Sequence, residues 1–109
     1  MIEYYLLEQL IAFAETGTLS KASQKLHISQ PALSKSMQKL EDIMGVALFN
    51  RSKSHIELNE TGKIAVKYAK QALKSNQAVI TKTRHLIINF LTFLWELVQP
   101  LLLSGFYLS

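Results

Sequence analysis

Two amphipathic stretches with only a short turn between them constrain this chain more than any other feature of its sequence. In the first stretch, Leu19, Ala22 and Leu26 recur at intervals of three and four residues, which predicts a short helix. Either Thr18 or Ser20 can accept the hydrogen bond that caps its first turn. Ala22 is also small, as is required where two helices cross closely.

The second stretch begins just after His27, where the first helix is expected to end. Ser29 is a good N-cap, and Pro31 in the first turn loses no hydrogen bond. The apolar side chains that follow are spaced four, three and four residues apart: Leu33, Met37, Leu40 and Met44. Gly45 then ends the helix by tolerating a left-handed conformation. Two helices joined by a turn of about three residues, the second with short polar side chains on its free face, form a helix-turn-helix unit.

One more helix precedes this unit and a hairpin follows it. The first segment carries Leu6, Leu10 and Phe13 on one stripe, and Gly17 lies at a stopping position. Residues 46–49 and 56–58 are short β-prone runs on either side of the polar stretch 50–55. They predict a small two-stranded wing.

A long helix is predicted from Glu60, with Asn59 as its N-cap. It places apolar residues on one side and lysines on another, and a helix that extends beyond a small core favours pairing with a second helix. We expect a homodimer, with pairing of dimers into tetramers left open, through these side chains: Ile64, Tyr68, Ala72, Leu73 and Val79. The chain then divides into residues 1–59, a linker helix over 60–85 and an apolar tail over 86–109.

The tail leaves three interpretations open: a membrane anchor, a helix packed within an oligomer, and an accidental tail from a truncated or frame-shifted gene. The run up to Val98 is short and interrupted by Glu96, whereas a membrane span needs about twenty apolar residues. Residues beyond Pro100 would supply the length, and Lys82 and Arg84 would fit a cytoplasmic orientation. The sequence favours the other two interpretations.

Composition excludes several classes of function. Of the residues, 49% are hydrophobic and 18% charged, which suits a folded domain. The chain has no cysteine, and its histidines, His27, His55 and His85, lack a metal-ligand spacing. Neither a glycine-rich phosphate loop nor a nucleophile elbow is present, so we expect no enzyme, cofactor or metal site. The start of the chain lacks the pattern of a secretory signal, which favours the cytoplasm.

Charge is segregated along the chain. The net charge of the chain is +4. Residues 16–40 contain four lysines and no acid, and residues 61–85 contain five lysines, one arginine and no acid. Such runs fit binding to a polyanion, but they also fit a solvated lysine face. Charge alone does not decide between the two.

Several separated blocks, agreeing in order and spacing, resemble one family. They read FAETGTLSKAS at residues 13–23, LHISQPALSK at 26–35, LFNR at 48–51 and LNETG at 58–62, with Leu40-Glu41 and Gly45-Val46 between them. Over residues 4–80 the chain is similar to the N-terminal domain of LysR-type transcriptional regulators. The resemblance implies a mainly α, winged helix-turn-helix fold that reads promoter DNA, followed by a linker helix that pairs in a dimer.

Some features depart from the family. Its larger C-terminal effector domain senses a small molecule, but the residues after His85 do not resemble that domain, so we expect no small-molecule effector for this chain. Lys53 and His55 stand at the wing tip where glycines are frequent. Lys35 stands where arginine is common, which keeps the charge but gives up a two-pronged donor.

The resemblance and the helix pattern together indicate a set of DNA contacts. Gln30 suits adenine, although it can also act as a second helix cap, and Ala32 suits the thymine methyl group. The start of the first stretch is placed to touch phosphates, and the wing to lie over the neighbouring backbone or minor groove. The complete set is Thr18, Ser20, Lys21, Ser29, Gln30, Pro31, Ala32, Ser34, Lys35, Gln38, Arg51, Lys53 and His55. A DNA-reading regulator is therefore expected, with a membrane-tethered DNA binder and a dimerisation-only module as alternatives.

Overall fold

The computed structural model describes the backbone of residues 1–108 and the side chains of residues 1–104. Its elements follow the predicted order of three helices, a hairpin and a long helix, which confirms the winged helix-turn-helix architecture. The elements are α1 (Tyr4–Thr16), α2 (Leu19–Leu26), α3 (Gln30–Met44), β1 (Phe49–Arg51), β2 (Ile56–Leu58) and α4 (Glu60–Leu108).

The first three helices and the root of the wing share one core. The ring of Phe13 on α1 meets the ring of Phe49 on β1 edge-on, with 5.0 Å between centroids. Around this pair lie the buried side chains Leu6, Leu10, Ala22, Leu33, Met37, Leu40 and Leu48. Met44, predicted to continue the apolar stripe of α3, is only half-buried and packs against the edge of this core.

The turn between α2 and α3 is tight. His27 ends α2 in a left-handed conformation with φ of 58°. Ala22 is fully buried, as the predicted close crossing requires, and the neighbouring Ser23 hydroxyl donates to the carbonyl of Ser20 at 2.8 Å. The small side chain of Ala22 therefore lets α3 pack closely against α2.

The first strand of the wing lies later in the chain than the sequence predicts. The expected strand 46–49 is wrong except at its end, since β1 begins at Phe49, pairs antiparallel with β2 and places Phe49 opposite Leu58. The preceding backbone is held by side chains from neighbouring helix ends. Glu41 Oε2 accepts from the Leu48 amide at 2.7 Å, and Asn59 Nδ2 donates to the Ala47 carbonyl at 3.0 Å. These bonds come from tertiary neighbours, which a β-propensity pattern does not reveal.

Helix α4 begins where the sequence predicts. Asn59 Oδ1 accepts from the Gly62 amide at 2.7 Å and so caps the first turn. The first turns bury small side chains against the core, namely Ala65, Val66 and Ala69.

The chain forms two compact units, residues 1–74 and the part from Ser75 onwards. The second unit is the continuation of α4, which stays helical through Pro100. In the described part of the chain, α4 is the one helix long and apolar enough to cross a membrane by length and composition.

Candidate nucleic-acid interface

The first turns of α3 present a surface that the rest of the protein leaves uncovered. Ser29 Oγ accepts from the Ala32 amide at 3.2 Å, so Ser29 provides the cap and Gln30 is not needed for it. Gln30, Pro31 and Ala32 are exposed. Because Leu33 and Met37 point into the core, the helix is fixed with this polar side outward.

The same outward side continues along α3. Lys35 and Gln38 are exposed and Ser34 is half-buried. The predicted outward positions of α3 are thus accessible, and the axis of the helix is held by the core beneath them. A rigid helix with short side chains at its start has the dimensions that the major groove of B-DNA admits.

The start of α2 forms a second part of the surface. Thr18 provides the cap of α2, its Oγ1 accepting from the Lys21 amide at 3.1 Å. The Thr18 hydroxyl keeps its own hydrogen, which remains free to donate. Ser20 and Lys21 are exposed, and the unpaired amides of a helix start favour a negatively charged group such as phosphate.

The wing tip lies beside these two helix starts. A turn of four residues, closed by the Ser52 amide donating to the His55 carbonyl at 2.8 Å, links β1 to β2. One cleft brings the tip together with α2 and α3, and five of the predicted contact residues line it: Thr18, Ser20, Gln30, Lys53 and His55. Ser52 and Ser54 line the same cleft. Neither serine is among the predicted contacts, although both lie within the polar stretch 50–55 of the wing.

Arg51 and Gln38 lie apart from that cleft. Together they line a separate depression whose other side chains include Glu41 and Asp42. The Arg51 guanidinium donates to Glu41 Oε1 at 2.6 Å and lies 5.6 Å from the centroid of the Phe49 ring. Arg51 is therefore engaged within the protein at the base of the wing, not at its tip.

The contacts of Glu41 also set the pKa of its carboxyl. Partial burial acts to raise the pKa of its carboxyl, but the hydrogen bonds from Arg51 and from the Leu48 amide outweigh burial and hold the pKa below its ordinary value. Glu41 is thus an anion that fixes both the wing base and the chain leading into it. No local pattern around Glu41 signals this role, because its partners lie in other elements.

The lysines of the first 59 residues separate into two groups. Lys25 pairs with Glu15 and Lys39 with Glu3, and these pairs lower the pKa of Glu15 and raise that of Lys39. Among the described residues, no acid lies within ion-pair distance of the other three, Lys21, Lys35 and Lys53. These three are the lysines that the sequence analysis assigns to DNA. Lysines whose charge is not balanced by a nearby acid attract a polyanion.

His55, unlike Lys53, lies close to an acidic side chain. Its Nε2 lies 3.5 Å from Glu57 Oε2, and both side chains are mostly exposed. An exposed pair of this kind contributes little to stability.

The residues predicted for dimerisation lie on α4. In the first unit, Ile64 and Tyr68 are each 58% exposed, and Ala72 is exposed as well. These three border an apolar groove whose walls include Ile2, Leu7, Met44 and Val46. Leu73 is half-buried, and Val79, in the second unit, is 66% exposed. Large apolar side chains left exposed beside an apolar groove mark a surface that a partner can cover.

Three helices, a tight turn, an outward polar helix start and an adjoining hairpin define a protein of the winged helix-turn-helix class. The family of bacterial regulatory helix-turn-helix proteins of the lysR type matches residues 5–63. The chain belongs to this family.

Curated relatives agree with this membership. The HTH-type transcriptional regulator TcbR of Pseudomonas sp. (strain P51) is 38% identical over 73 residues, which cover 67% of this chain and 25% of TcbR. An uncharacterised HTH-type regulator of Azotobacter vinelandii is 37% identical over 83 residues, covering 76% of this chain and 55% of the relative. The chain thus spans about a quarter of the length of TcbR.

Solved structures show the same fold. The DNA-binding domain of CbnR, crystallised in complex with DNA, aligns over 77% of this chain and 97% of that chain, with a TM-score of 0.72 and 34% identity. CbnR itself, a LysR family transcriptional regulator, aligns with a TM-score of 0.70 and 35% identity over 76% of this chain and 29% of CbnR.

Proposed function

We propose that this chain binds double-stranded DNA in a sequence-specific manner and acts as a transcriptional regulator, with α3 in the major groove. The observation that carries the proposal is that Lys21, Lys35 and Lys53 lie on α2, α3 and the wing, the three elements predicted to contact DNA. These three lack acidic partners among the described residues, while Lys25 and Lys39 are neutralised by ion pairs. A chance distribution of surface lysines gives no reason for the unpaired ones to coincide with the predicted DNA contacts. The DNA complex of the related CbnR domain supports the same assignment.

The first turn of α3 would read bases. Gln30 is exposed and not needed for capping, so its amide is free to donate and accept at adenine. Ala32 offers a methyl group to thymine, and Lys35 and Gln38 reach bases or phosphates further along the helix. Ser29, Pro31 and Ser34 complete this surface.

The start of α2 and the wing would position the domain. The amides and hydroxyls around Thr18 and Ser20, with the Lys21 ammonium, suit phosphate oxygens. Lys53 and His55 at the wing tip suit the adjacent backbone or minor groove. For Arg51 we propose an indirect part, because its guanidinium is held by Glu41.

A homodimer would present two such domains to a two-fold symmetric site. We propose that α4 pairs through Ile64, Tyr68, Ala72, Leu73 and Val79, with the apolar groove beside Ile64 and Tyr68 covered by the second copy. Gel filtration or ultracentrifugation in mild detergent tests this: Tyr68→Gln should weaken the dimer, and the exposed control Lys70→Gln should not. A dimer equally stable in both variants would remove Tyr68 from the interface.

The relatives are transcriptional regulators, and we propose that this chain is likewise a regulator and not an enzyme. The DNA-reading unit would act in the cytoplasm, where bacterial DNA is located.

Selection from randomised DNA, with sequencing of the bound pool, supplies a probe for the function. A two-fold symmetric consensus is expected. Binding of that consensus should then fall roughly fivefold to more than a hundredfold in Gln30→Ala and Lys35→Ala, as loss of a base contact implies. Gln24→Ala and Lys25→Ala are matched controls, because Gln24 is exposed on α2 and Lys25 is paired with Glu15. No enrichment in the selection, or equal loss in variants and controls, would refute the proposal.

A further inference from the structure

The tail helix, residues 86–104 of α4, differs from every other part of the chain in its surroundings. All of its side chains are exposed, among them Leu91, Leu94 and Trp95. The most apolar window of 18 residues in α4 has a mean hydropathy of 1.8, and none of that window is buried. Nothing in the described part of the chain covers this apolar surface.

Four of the five polar residues of the tail helix lie on one side of it, and the exception is Ser104 at its end. Asn89, Thr92, Glu96 and Gln99 follow one another at intervals of three, four and three residues. At 3.6 residues per turn these four fall within an arc of about 80°. They form one narrow polar seam, and the larger remainder of the circumference is apolar.

This pattern is the inverse of a soluble paired helix. A helix that pairs in water buries a narrow apolar stripe and exposes the polar remainder. In the tail helix the stripe is polar and the remainder apolar, so a single protein helix packed against it would leave most of the apolar surface in water. The pattern is satisfied when an apolar medium surrounds the helix on every side except the polar seam, which contacts protein.

The dimensions agree with a lipid bilayer. Nineteen helical residues rise by about 28 Å, close to the hydrocarbon thickness of about 30 Å. Pro100 lies within the continuous helix, so the residues beyond it extend the same apolar helix. The Thr92 hydroxyl donates to the Ile88 carbonyl at 2.9 Å, so this polar group is satisfied within the helix, as lipid requires.

We propose that the tail helix spans a lipid bilayer and that its polar seam faces the seam of a second copy. In such a pair, Asn89 and Glu96 of each copy face the second copy instead of lipid. Polar groups in membrane helices are found at contacts of this kind between helices. Lys82 and Arg84 lie just ahead of the tail helix and remain on the cytoplasmic side, together with the DNA-reading unit.

Flotation of the full chain tests insertion. The protein is synthesised in the presence of vesicles of phosphatidylethanolamine and phosphatidylglycerol, washed with alkaline carbonate and centrifuged upward through a sucrose gradient. The wild type should float with the vesicles. Ile87→Lys with Leu94→Lys, on the apolar side, should float at least about tenfold less, because each buried charge opposes insertion. The matched control Asn76→Lys with Gln77→Lys adds the same charge outside the tail helix and should float like the wild type.

A wild type that stays at the bottom of the gradient, or floats only before the carbonate wash, would overturn the proposal. An aggregate or a soluble oligomer gives that result, since neither rises with lipid. The readout does not involve DNA, so a failure of flotation is distinct from a failure of the proposed function.

The seam is tested by cross-linking in the floated vesicles. The chain has no cysteine of its own, so single cysteines report cleanly. Thr92→Cys, on the seam, should form a disulfide-linked dimer on oxidation, whereas Leu94→Cys, on the apolar side, should not. Equal cross-linking of both variants, or none in either, would overturn the contact between seams.

Discussion

Arg51 of β1 and Glu41 of α3 are joined by an ion pair, with 2.6 Å between the guanidinium nitrogen and the carboxylate oxygen. The Glu41 side chain is only 11% exposed, and its second oxygen accepts from the Leu48 amide. One carboxylate thus holds the wing and the segment before it against the helix proposed to enter the major groove. The relative position of the two elements proposed to face DNA depends on this group.

Glu41→Gln should destabilise the protein by about 1 kcal/mol, because it weakens two hydrogen bonds to a charged group that is mostly buried. The effect is not larger because Arg51 is partly screened by solvent. Urea unfolding followed by far-ultraviolet circular dichroism measures the change. Glu15→Gln removes only an exposed pair with Lys25 and should leave the unfolding midpoint almost unchanged. Equal midpoints in the two variants would contradict the role of Glu41.

The same residue should give an acid-dependent stability. The folded-state pKa of Glu41 lies below the ordinary value of 4.5, so its contribution is complete above pH 4.5 and is lost as the pH falls through the folded-state pKa. The difference in unfolding free energy between the wild type and Glu41→Gln should therefore shrink below pH 4.5. A difference that is constant across that range would mean that the carboxylate charge does not matter.

The salt dependence of DNA binding should identify phosphate contacts. Each contact releases bound counterion, so Lys53→Ala, which removes one contact from each copy of the proposed dimer, should reduce the slope of log affinity against log salt by about two. Titrations of the selected DNA at several salt concentrations give the slope. Lys25→Ala should leave it unchanged, because Lys25 is already paired with Glu15. An unchanged slope in Lys53→Ala would place the wing tip away from phosphate.

Gly62→Ala should be strongly destabilising, by about 3 kcal/mol. A Cβ on Gly62 would collide with the backbone carbonyl of Leu48, an obstacle that cannot rotate away, and would crowd the Leu58 side chain at 2.8 Å. Thermal unfolding tests this, with the neighbouring exposed Lys63→Ala as the control. A fully stable Gly62→Ala would show that α4 can shift away from the wing.

His27→Gly should stabilise the protein by about 0.5–1 kcal/mol, since His27 holds a left-handed φ of 58° that glycine adopts without strain. His27→Ala keeps the strain and should give no gain. Comparing the urea midpoints of the two variants separates backbone strain from loss of the imidazole. A gain in both variants would point to the side chain instead.

Much of this interface is predictable from local pattern. Ser29 and Asn59 were expected to cap α3 and α4, and both do, because capping depends on residues only a few positions apart. The outward position of Lys35 follows from the spacing of Leu33 and Met37, since the helical period fixes which side is buried. Whether these outward residues touch DNA stays a prediction.

Other features depended on contacts between distant residues. Arg51 was expected on the wing over DNA, and the contact of its guanidinium with Glu41 could not be predicted from the sequence. The first strand was expected at residues 46–49, whereas side chains from α3 and the α4 cap hold residues 47 and 48 outside the sheet.

The sequence by itself determined the helices, their caps and the polar side of α3, because periodicity and capping act within one or two turns. Only the tertiary structure decided which side of α4 is buried, at Ala65 and Ala69, and which cations keep their charge unpaired. Those outcomes depend on how separate elements approach one another. Burial and ion pairing act across space, between residues whose separation along the chain carries no signal of their contact.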